Sequence, residues 1–264
     1  MSLCIHQLTA GYTRRPVLTG IDLPKLLPGT VVAVLGPNAV GKSTLLRSVA
    51  GLRGYTGRVE LNGHDLATIP ASERLRQVGY LPQSLPQASS LLAYEILEIS
   101  LRANRRDWPA ERRAAAIEEV VNLMGIRALA LRRLDELSGG QRQMIGLAQV
   151  IVRAPQLMLL DEPTSALDLR WQLHVLQAVV TLAQRQGLIA MVALHDLNLA
   201  LRFCQQALVL GSGRAQAVGA PSDVLTSELI ARVWGVQATL EHSVSGRPIL
   251  VADAALPTDI ELNR

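Results

Sequence analysis

The feature that most constrains this chain is the octapeptide Gly36-Pro37-Asn38-Ala39-Val40-Gly41-Lys42-Ser43. It lies between an apolar run, residues 30–35, and a segment of helical period (Leu45, Leu46, Val49, Ala50) that stops at Gly51. A continuous apolar run of that length is a strand buried on both faces. A strand that turns through glycines into a helix opens a βαβ unit. The octapeptide fits G-x-x-x-x-G-K-[ST]. In such a loop the backbone N–H groups ring a phosphate, and the helix N-terminus behind it adds the positive end of its dipole. A Gly-containing strand–helix turn alone has the same outline; strand before and helix after make the phosphate reading specific. Lys42 is then placed to reach terminal phosphates, and the Ser43 hydroxyl to coordinate Mg²⁺.

The chain has 264 residues, 49% of them hydrophobic and 18% charged, so it can bury a large core and wholesale disorder is excluded. The length favours one large α/β domain with room for an embedded subdomain. Aromatics make up 3% with a single Phe (Phe203), so the core must be built from Leu, Val, Ile and Ala. Strands are expected at residues 3–8 and 17–23, then at 78–81. After Pro82-Gln83 and a Pro-punctuated stretch, only helical periodicity follows, near 94–102, 109–124 and 139–152. So long a helical stretch between strands predicts a separate helical lobe. Alternation resumes with a strand at 157–160, a helix at 170–184, a strand at 188–194 and a helix at 196–203, and short elements close the domain.

No apolar run approaches the length of a membrane span and no basic-then-apolar leader opens the chain, so a cytosolic location is expected. Cys4 and Cys204 show no ligand-like spacing and read as reduced thiols. The net charge is +4, and only two of the 26 cationic residues, Lys25 and Lys42, are lysines. The arginine pairs at 14–15, 105–106, 112–113 and 132–133, with acids nearby, read mainly as solvated faces, with nucleic acid or a membrane-proximal partner as the alternative.

Leu157-Met-Leu-Leu-Asp161-Glu162 is an apolar strand ending in two carboxylates. A buried strand of a parallel sheet delivers its C-terminal residues to the edge where α/β proteins bind ligands. Asp161 is placed to hold Mg²⁺ and Glu162 to polarise a water for in-line attack on a γ-phosphate. Alone, such a strand is a weak signal; downstream of the phosphate loop it is a strong one.

Leu137-Ser138-Gly139-Gly140-Gln141 stands 24 residues before Asp161, counted from Leu137. By itself Ser-Gly-Gly is an ordinary helix start. In this order and spacing it resembles the signature of ATP-binding cassette (ABC) ATPases, and further elements of that family fall in sequence. Tyr12 in Gly11-Tyr12-Thr13 resembles the aromatic that stacks on adenine. Gln83 resembles the glutamine-loop residue that senses Mg²⁺ and the attacking water. Ser165-Ala166-Leu167-Asp168 resembles the loop that crosses the dimer interface. His195 resembles the switch histidine that contacts the γ-phosphate. His6, His64, His174 and His242 match no motif and read as bland.

The resemblance covers nearly the whole chain. It implies an α/β fold: a P-loop NTPase (RecA-like) core with N-terminal antiparallel strands and an inserted all-helical subdomain. Residues 1–235 are expected to form the ATP-binding domain (core 1–83 and 153–220, helical subdomain 84–152), with 221–264 as a closing segment. ATP and Mg²⁺ are the implied cofactors. The implied nucleotide-binding residues are Tyr12 and Gly36 through Ser43 with Thr44; the metal set is Ser43, Gln83 and Asp161, and the catalytic set Glu162, His195 and Gln83. The signature, Ser138 to Gln141, would contact ATP held by a second copy of the chain. The stretches LSGGQRQMIGLAQ, DEPTSALDL and ALHDLNLA resemble ATPase subunits of iron(III)-siderophore, haem and cobalamin importers, with siderophore as the first choice. Such a subunit would sit peripherally on the cytoplasmic face of the membrane, against two permease subunits and indirectly a substrate-binding protein, with no nucleic acid.

Other classes remain open. An exporter ATPase differs little in its cassette. A soluble cassette acting on DNA or ribosomes is disfavoured, since repair relatives carry a long coiled coil where this chain has 54 residues between Gln83 and Ser138, and translation relatives carry two cassettes. A non-hydrolytic or kinase-like protein would leave Glu162, His195 and the signature idle. The chain departs from the family at Ala39, where Gly is usual, at Val40, where a smaller residue is commoner, and at Met144, where Arg is frequent. A backbone with φ > 0 at Ala39 would cost about 1 kcal/mol.

Overall fold

The computed structural model describes residues 1–12, 15–84 and 88–257. Thr13, Arg14, residues 85–87 and residues 258–264 of the closing segment lie outside the described residues. The N-terminal strands β1 (Leu3–Tyr12) and β2 (Arg15–Leu26) pair antiparallel and are longer than the sequence pattern suggests. Their alternation is broken by irregular register and by positive φ at Gln7 (50°) and Gly20 (60°), which hides their length from a period-2 reading. β3 (Val31–Leu35) leads through the glycine loop into α1 (Lys42–Val49). β4 (Tyr55–Leu61), β5 (His64–Asp65) and α2 (Ala71–Gln77) come next, before β6 (Val78–Leu81). Those three elements carry no clear period: Gly57 interrupts β4, and α2 buries no residue.

The helical insertion contains α3 (Ala93–Asn104), α4 (Ala110–Leu123), the short α5 (Arg127–Ala130) and α6 (Gly139–Ile151). It returns to β7 (Leu157–Asp161), which lies parallel and next to β6. α7 (Leu169–Gln186), β8 (Ile189–Ala193), α8 (Leu197–Phe203) and the antiparallel pair β9 (Gln206–Gly211) and β10 (Arg214–Gly219) complete the main sheet. α9 (Pro221–Val224), α10 (Ser227–Trp234) and the hairpin β11 (Val236–His242)–β12 (Pro248–Ala255) close the chain.

Two sheets matter for the site. A six-stranded sheet runs β10-β9-β3-β8-β7-β6, parallel except for β10, and a four-stranded antiparallel sheet runs β2-β1-β4-β5. The central strands β3, β7 and β8 are buried on both faces, which is why they read as continuous apolar runs. In β3, Val31, Ala33 and Leu35 face the core shared with the inserted helices and α7, while Val32 and Val34 face α1 and the antiparallel sheet. In β7, Met158 and Leu160 face the first core, Leu157 and Leu159 the second.

The helix starts are locally encoded. Ser138 caps α6 in a reciprocal box with Gln141, Asp168 caps α7 through the Trp171 N–H, and Gly187 ends α7 at φ 66°. One expectation needs correction: Arg105 is not on a solvated face. Its guanidinium donates to the Arg153 and Ala154 carbonyls at 2.9 Å each, tying the helical insertion to the loop before β7. Carbonyls in a loop outside helix and sheet need donors, and this half-buried guanidinium supplies them.

Candidate active site

The parallel register sets the site. Leu81 pairs with Leu160, Asp161 with Ala193, and Val34 with Ala193, so β6, β7, β8 and β3 end level. Their C-terminal loops therefore emerge at one edge, with Gln83 after β6, Glu162 after β7, His195 after β8 and the glycine loop after β3. Asn38, Lys42, Ser43, Gln83, Glu162 and His195 line one cavity of about 360 Å³ at that edge.

In the loop, a Cβ at Gly36 would lie 2.4 Å from the Leu210 carbonyl oxygen, so only glycine lets β3 leave past β9. Gly41 opens α1 at φ 116°. Lys42 is 5% exposed; its ammonium donates to the Gly36 and Pro37 carbonyls at 2.7 and 3.1 Å. Burial pulls its pKa down, while the carboxylates of Glu162 and Asp161 pull the other way. An ammonium held by loop carbonyls at the mouth of a ring of N–H groups is placed for a polyphosphate.

Ala39 does adopt the left-handed region, at φ 60°. Replacing it with Gly removes about 1–2 kcal/mol of strain, and the added freedom of the unfolded chain takes back part. The expected result for Ala39→Gly is a melting temperature raised by about 2 °C in calorimetry. A lower melting temperature would mean that contacts of the Ala39 methyl outweigh the strain.

Behind the loop, Ser43 Oγ donates to Asp161 Oδ1 at 2.9 Å. Asp161 is fully buried, and its other oxygen accepts from the Tyr80 hydroxyl at 3.2 Å, which in turn accepts from Arg47 Nε at 3.2 Å. Burial raises the Asp161 pKa, and the Ser43 and Tyr80 hydrogen bonds hold it back. The hydroxyl lining the cavity and the buried carboxylate it donates to are hard oxygen donors, and they fit Mg²⁺.

Glu162 stands beside them with its carboxylate gripped on both sides. Gln83 Nε2 donates to Oε2 at 2.9 Å, and His195 Nε2 lies 2.6 Å from Oε1. The Gln83 amide is thus turned to Glu162, with no hydrogen bond to Ser43 or Asp161. The Glu162 backbone has φ 54°, a conformation costly for a non-glycine residue and one that clusters at functional sites. Its carbonyl accepts from Gln143 Nε2 at 2.8 Å and from Ser165 Oγ at 3.1 Å.

Tyr12 is 70% exposed with the Arg53 guanidinium 4.3 Å from its ring centroid. It lines a neighbouring cavity of about 1000 Å³ with Pro37, Asn38, Ala39 and Val40, on the outer side of the loop. Ser138 is exposed at the start of α6, and neither it nor Gly139, Gly140 or Gln141 lines the cavity around Lys42. Gly140 instead packs against the loop after β7: a Cβ there would lie 2.7 Å from the Ala166 carbonyl oxygen. Ser165 and Asp168, on that loop, are exposed. The structure therefore gathers Lys42, Ser43, Gln83, Asp161, Glu162 and His195, places Tyr12 beside them, and leaves the signature apart.

The sequence pattern of the ABC transporter family matches residues 20–165. The hemin import ATP-binding protein HmuV of Myxococcus xanthus is 38% identical over 97% of this chain and 99% of its own length. The chain belongs to the ABC transporter family.

Two further likenesses span the cassette. The ferric enterobactin transport ATP-binding protein FepC of Escherichia coli is 32% identical over 93% of this chain and 92% of its own. A solved structure described as a metal-chelate type ABC transporter in an inward-facing conformation superposes with a TM-score of 0.80 at 26% identity, covering 96% of this chain and 98% of that one. The cassette is an ATP-binding ATPase with the RecA-like core, antiparallel strands and inserted helices of that family. Among the described residues no helix is long and apolar enough to cross a membrane.

Sequence reasoning missed three residues at this site. Tyr80 and Arg47 form the outer support of Asp161. Tyr80 sits on β6 opposite Leu159, and its reach to Asp161 comes from strand order, which local pattern does not reveal. Gln143 is 4% exposed and ties α6 to the Glu162 backbone. No local spacing marks it, because residues two apart on a helix, such as Gln141 and Gln143, face different sides.

Proposed function

We propose that this cassette energises the import of a metal-chelate cargo through separate membrane permease subunits, with haem as first candidate and a ferric siderophore or cobalamin second. The observation that carries this reading is the 38% identity to a hemin import ATP-binding protein across nearly all of both chains. The ferric enterobactin relative stands at 32%, so haem moves ahead of the siderophore that the sequence resemblance put first. The metal-chelate type neighbour supports the same class of cargo.

In this reading residues 1–235 act as the ATP-binding domain and 221–264 close it. Tyr12 stacks on adenine, and Gly36 through Thr44 hold the phosphates with Lys42 on the terminal ones. Ser43 and Asp161, with Gln83, would hold Mg²⁺, which when bound neutralises charge on the β- and γ-phosphate oxygens. Glu162 takes a proton from the water that attacks γ-phosphorus while the bond to the bridging β–γ oxygen breaks. Gln83 and His195 fix the carboxylate for that transfer. The left-handed backbone at Glu162, held by Gln143 and Ser165, aims it.

The signature acts on another molecule's ATP. Because Ser138 to Gln141 stand away from the Lys42 cavity, the cradle they offer is filled from a second copy, and two ATP molecules are sandwiched between Gly36–Thr44 stretches and opposing signatures. Ser165 and Asp168 lie at that seam. Closure on ATP and reopening after hydrolysis move the helical insertion next to Gln83 and so drive two permease subunits on the inner membrane, served indirectly by a substrate-binding protein. Residues 85–87 of this coupling stretch lie outside the described residues. No nucleic acid takes part.

The test is ATP hydrolysis in vesicles carrying the cassette with its permease. Haem-loaded binding protein is expected to stimulate turnover more than ferric siderophore or cobalamin on their binding proteins. Stimulation by none of the three, together with outward movement of another compound, would overturn the import reading.

A further inference from the structure

The outer face of the antiparallel sheet carries a group of side chains that the nucleotide site does not use. Period-2 alternation on β1 turns Leu3 and Ile5 into the core and leaves Cys4 and His6 on the opposite face. The register places Glu60 of β4 directly across from Cys4, and Arg58 across from His6. One donor atom from each of Cys4, His6 and Glu60 lies within 4.8 Å of the other two. Cys4 Sγ is 3.4 Å from Glu60 Oε2. Arg58 Nε holds the other oxygen, Oε1, at 2.6 Å, so the carboxylate is anchored with Oε2 turned to the thiol.

We propose that Cys4, His6 and Glu60 form a binding site for a borderline divalent cation of the Zn²⁺ class, separate from the Mg²⁺-type pair of Ser43 and Asp161. A thiolate, an imidazole and a carboxylate are the three ligand types Zn²⁺ takes, with bonds of about 2.0–2.3 Å. Tetrahedral angles on those bonds put ligand atoms roughly 3.3–3.8 Å apart. Rotation of the exposed His6 side chain closes the gap from the present spacing. Arg58 then serves as the outer partner that orients a ligating carboxylate. Three protein ligands leave the fourth position to water, an open site. On binding, the Cys4 S–H bond breaks, a sulfur–metal bond forms and the proton leaves to solvent. Mg²⁺, which demands oxygen ligands, is not a competitor here. The three ligands come from two strands, with Cys4 and Glu60 56 positions apart, so no local spacing betrays them.

The full-length chain is titrated with Co²⁺ as the probe. One equivalent is expected to bind with a thiolate-to-cobalt charge-transfer band, displaced by Zn²⁺ and untouched by excess Mg²⁺. Cys4→Ser is expected to abolish the band. His6→Ala, an exposed change that spares the fold, is expected to weaken Co²⁺ binding at least about tenfold. Cys204→Ala is expected to keep the band, and basal ATP hydrolysis to be unchanged in Cys4→Ser. Absence of a charge-transfer band in the unmodified protein, or a band that survives Cys4→Ser, overturns the proposal and leaves the nucleotide reading intact.

Discussion

Glu162→Gln is expected to lower ATP hydrolysis by about 10²–10⁴-fold, the usual range for losing a positioned general base. The substitution keeps side-chain size and both neighbours, so Gln83 and His195 still bracket the position. The loss is confined to the proton acceptor. Lys42, Ser43 and Asp161 are untouched, so ATP binding is expected to persist, and the fall should appear in kcat rather than KM. Steady-state hydrolysis beside equilibrium binding of a fluorescent ATP analogue separates the two. A variant that turns over normally would remove Glu162 from its role and shift attention to His195.

Ser138→Arg is the second large effect. The Ser138 side chain caps α6 through the Gln141 N–H, yet it is exposed and away from the Lys42 cavity. A cradle built from a helix N-terminus loses a donor and gains bulk in the seam, which is expected to reduce hydrolysis by at least about 100-fold. Losing the cap costs about 1 kcal/mol, too little to unfold the helix in its packed setting. ATP affinity of the isolated chain should be unchanged, because its own phosphate loop does not meet its own signature. Loss of single-chain ATP binding in Ser138→Arg would place the signature in the same molecule's site and contradict the two-copy arrangement.

How much of the fold and the site was legible in the sequence depended on where the information lies. β3 and β7 were readable because burial on both faces leaves only Val, Ala, Leu and Met in them apart from the terminal Asp161, and the turn residues after them mark the edge. The strain at Ala39 was anticipated from its departure from the family glycine, and φ 60° bears it out. The positive φ of Glu162 was not, since nothing in Asp161-Glu162-Pro163 forces it; beside the local Ser165 hydrogen bond, the Gln143 bond that holds it comes from α6. β4 escaped because Gly57 breaks its alternation and α2 because it buries nothing. Cys4, His6 and Tyr80 escaped for a shared reason: their partners are set by strand register, a long-range property. Chemistry written within a loop was visible; chemistry assembled across strands was not.

The mechanism rests on two copies closing over ATP. Small-angle scattering of Glu162→Gln, with and without saturating ATP and Mg²⁺, measures that most directly. The expected result is a single-chain profile without nucleotide and a compact particle of twice the mass with it, reverting when Lys42→Ala is added. A single-chain profile at saturating ATP, with binding verified in the same sample, would contradict it.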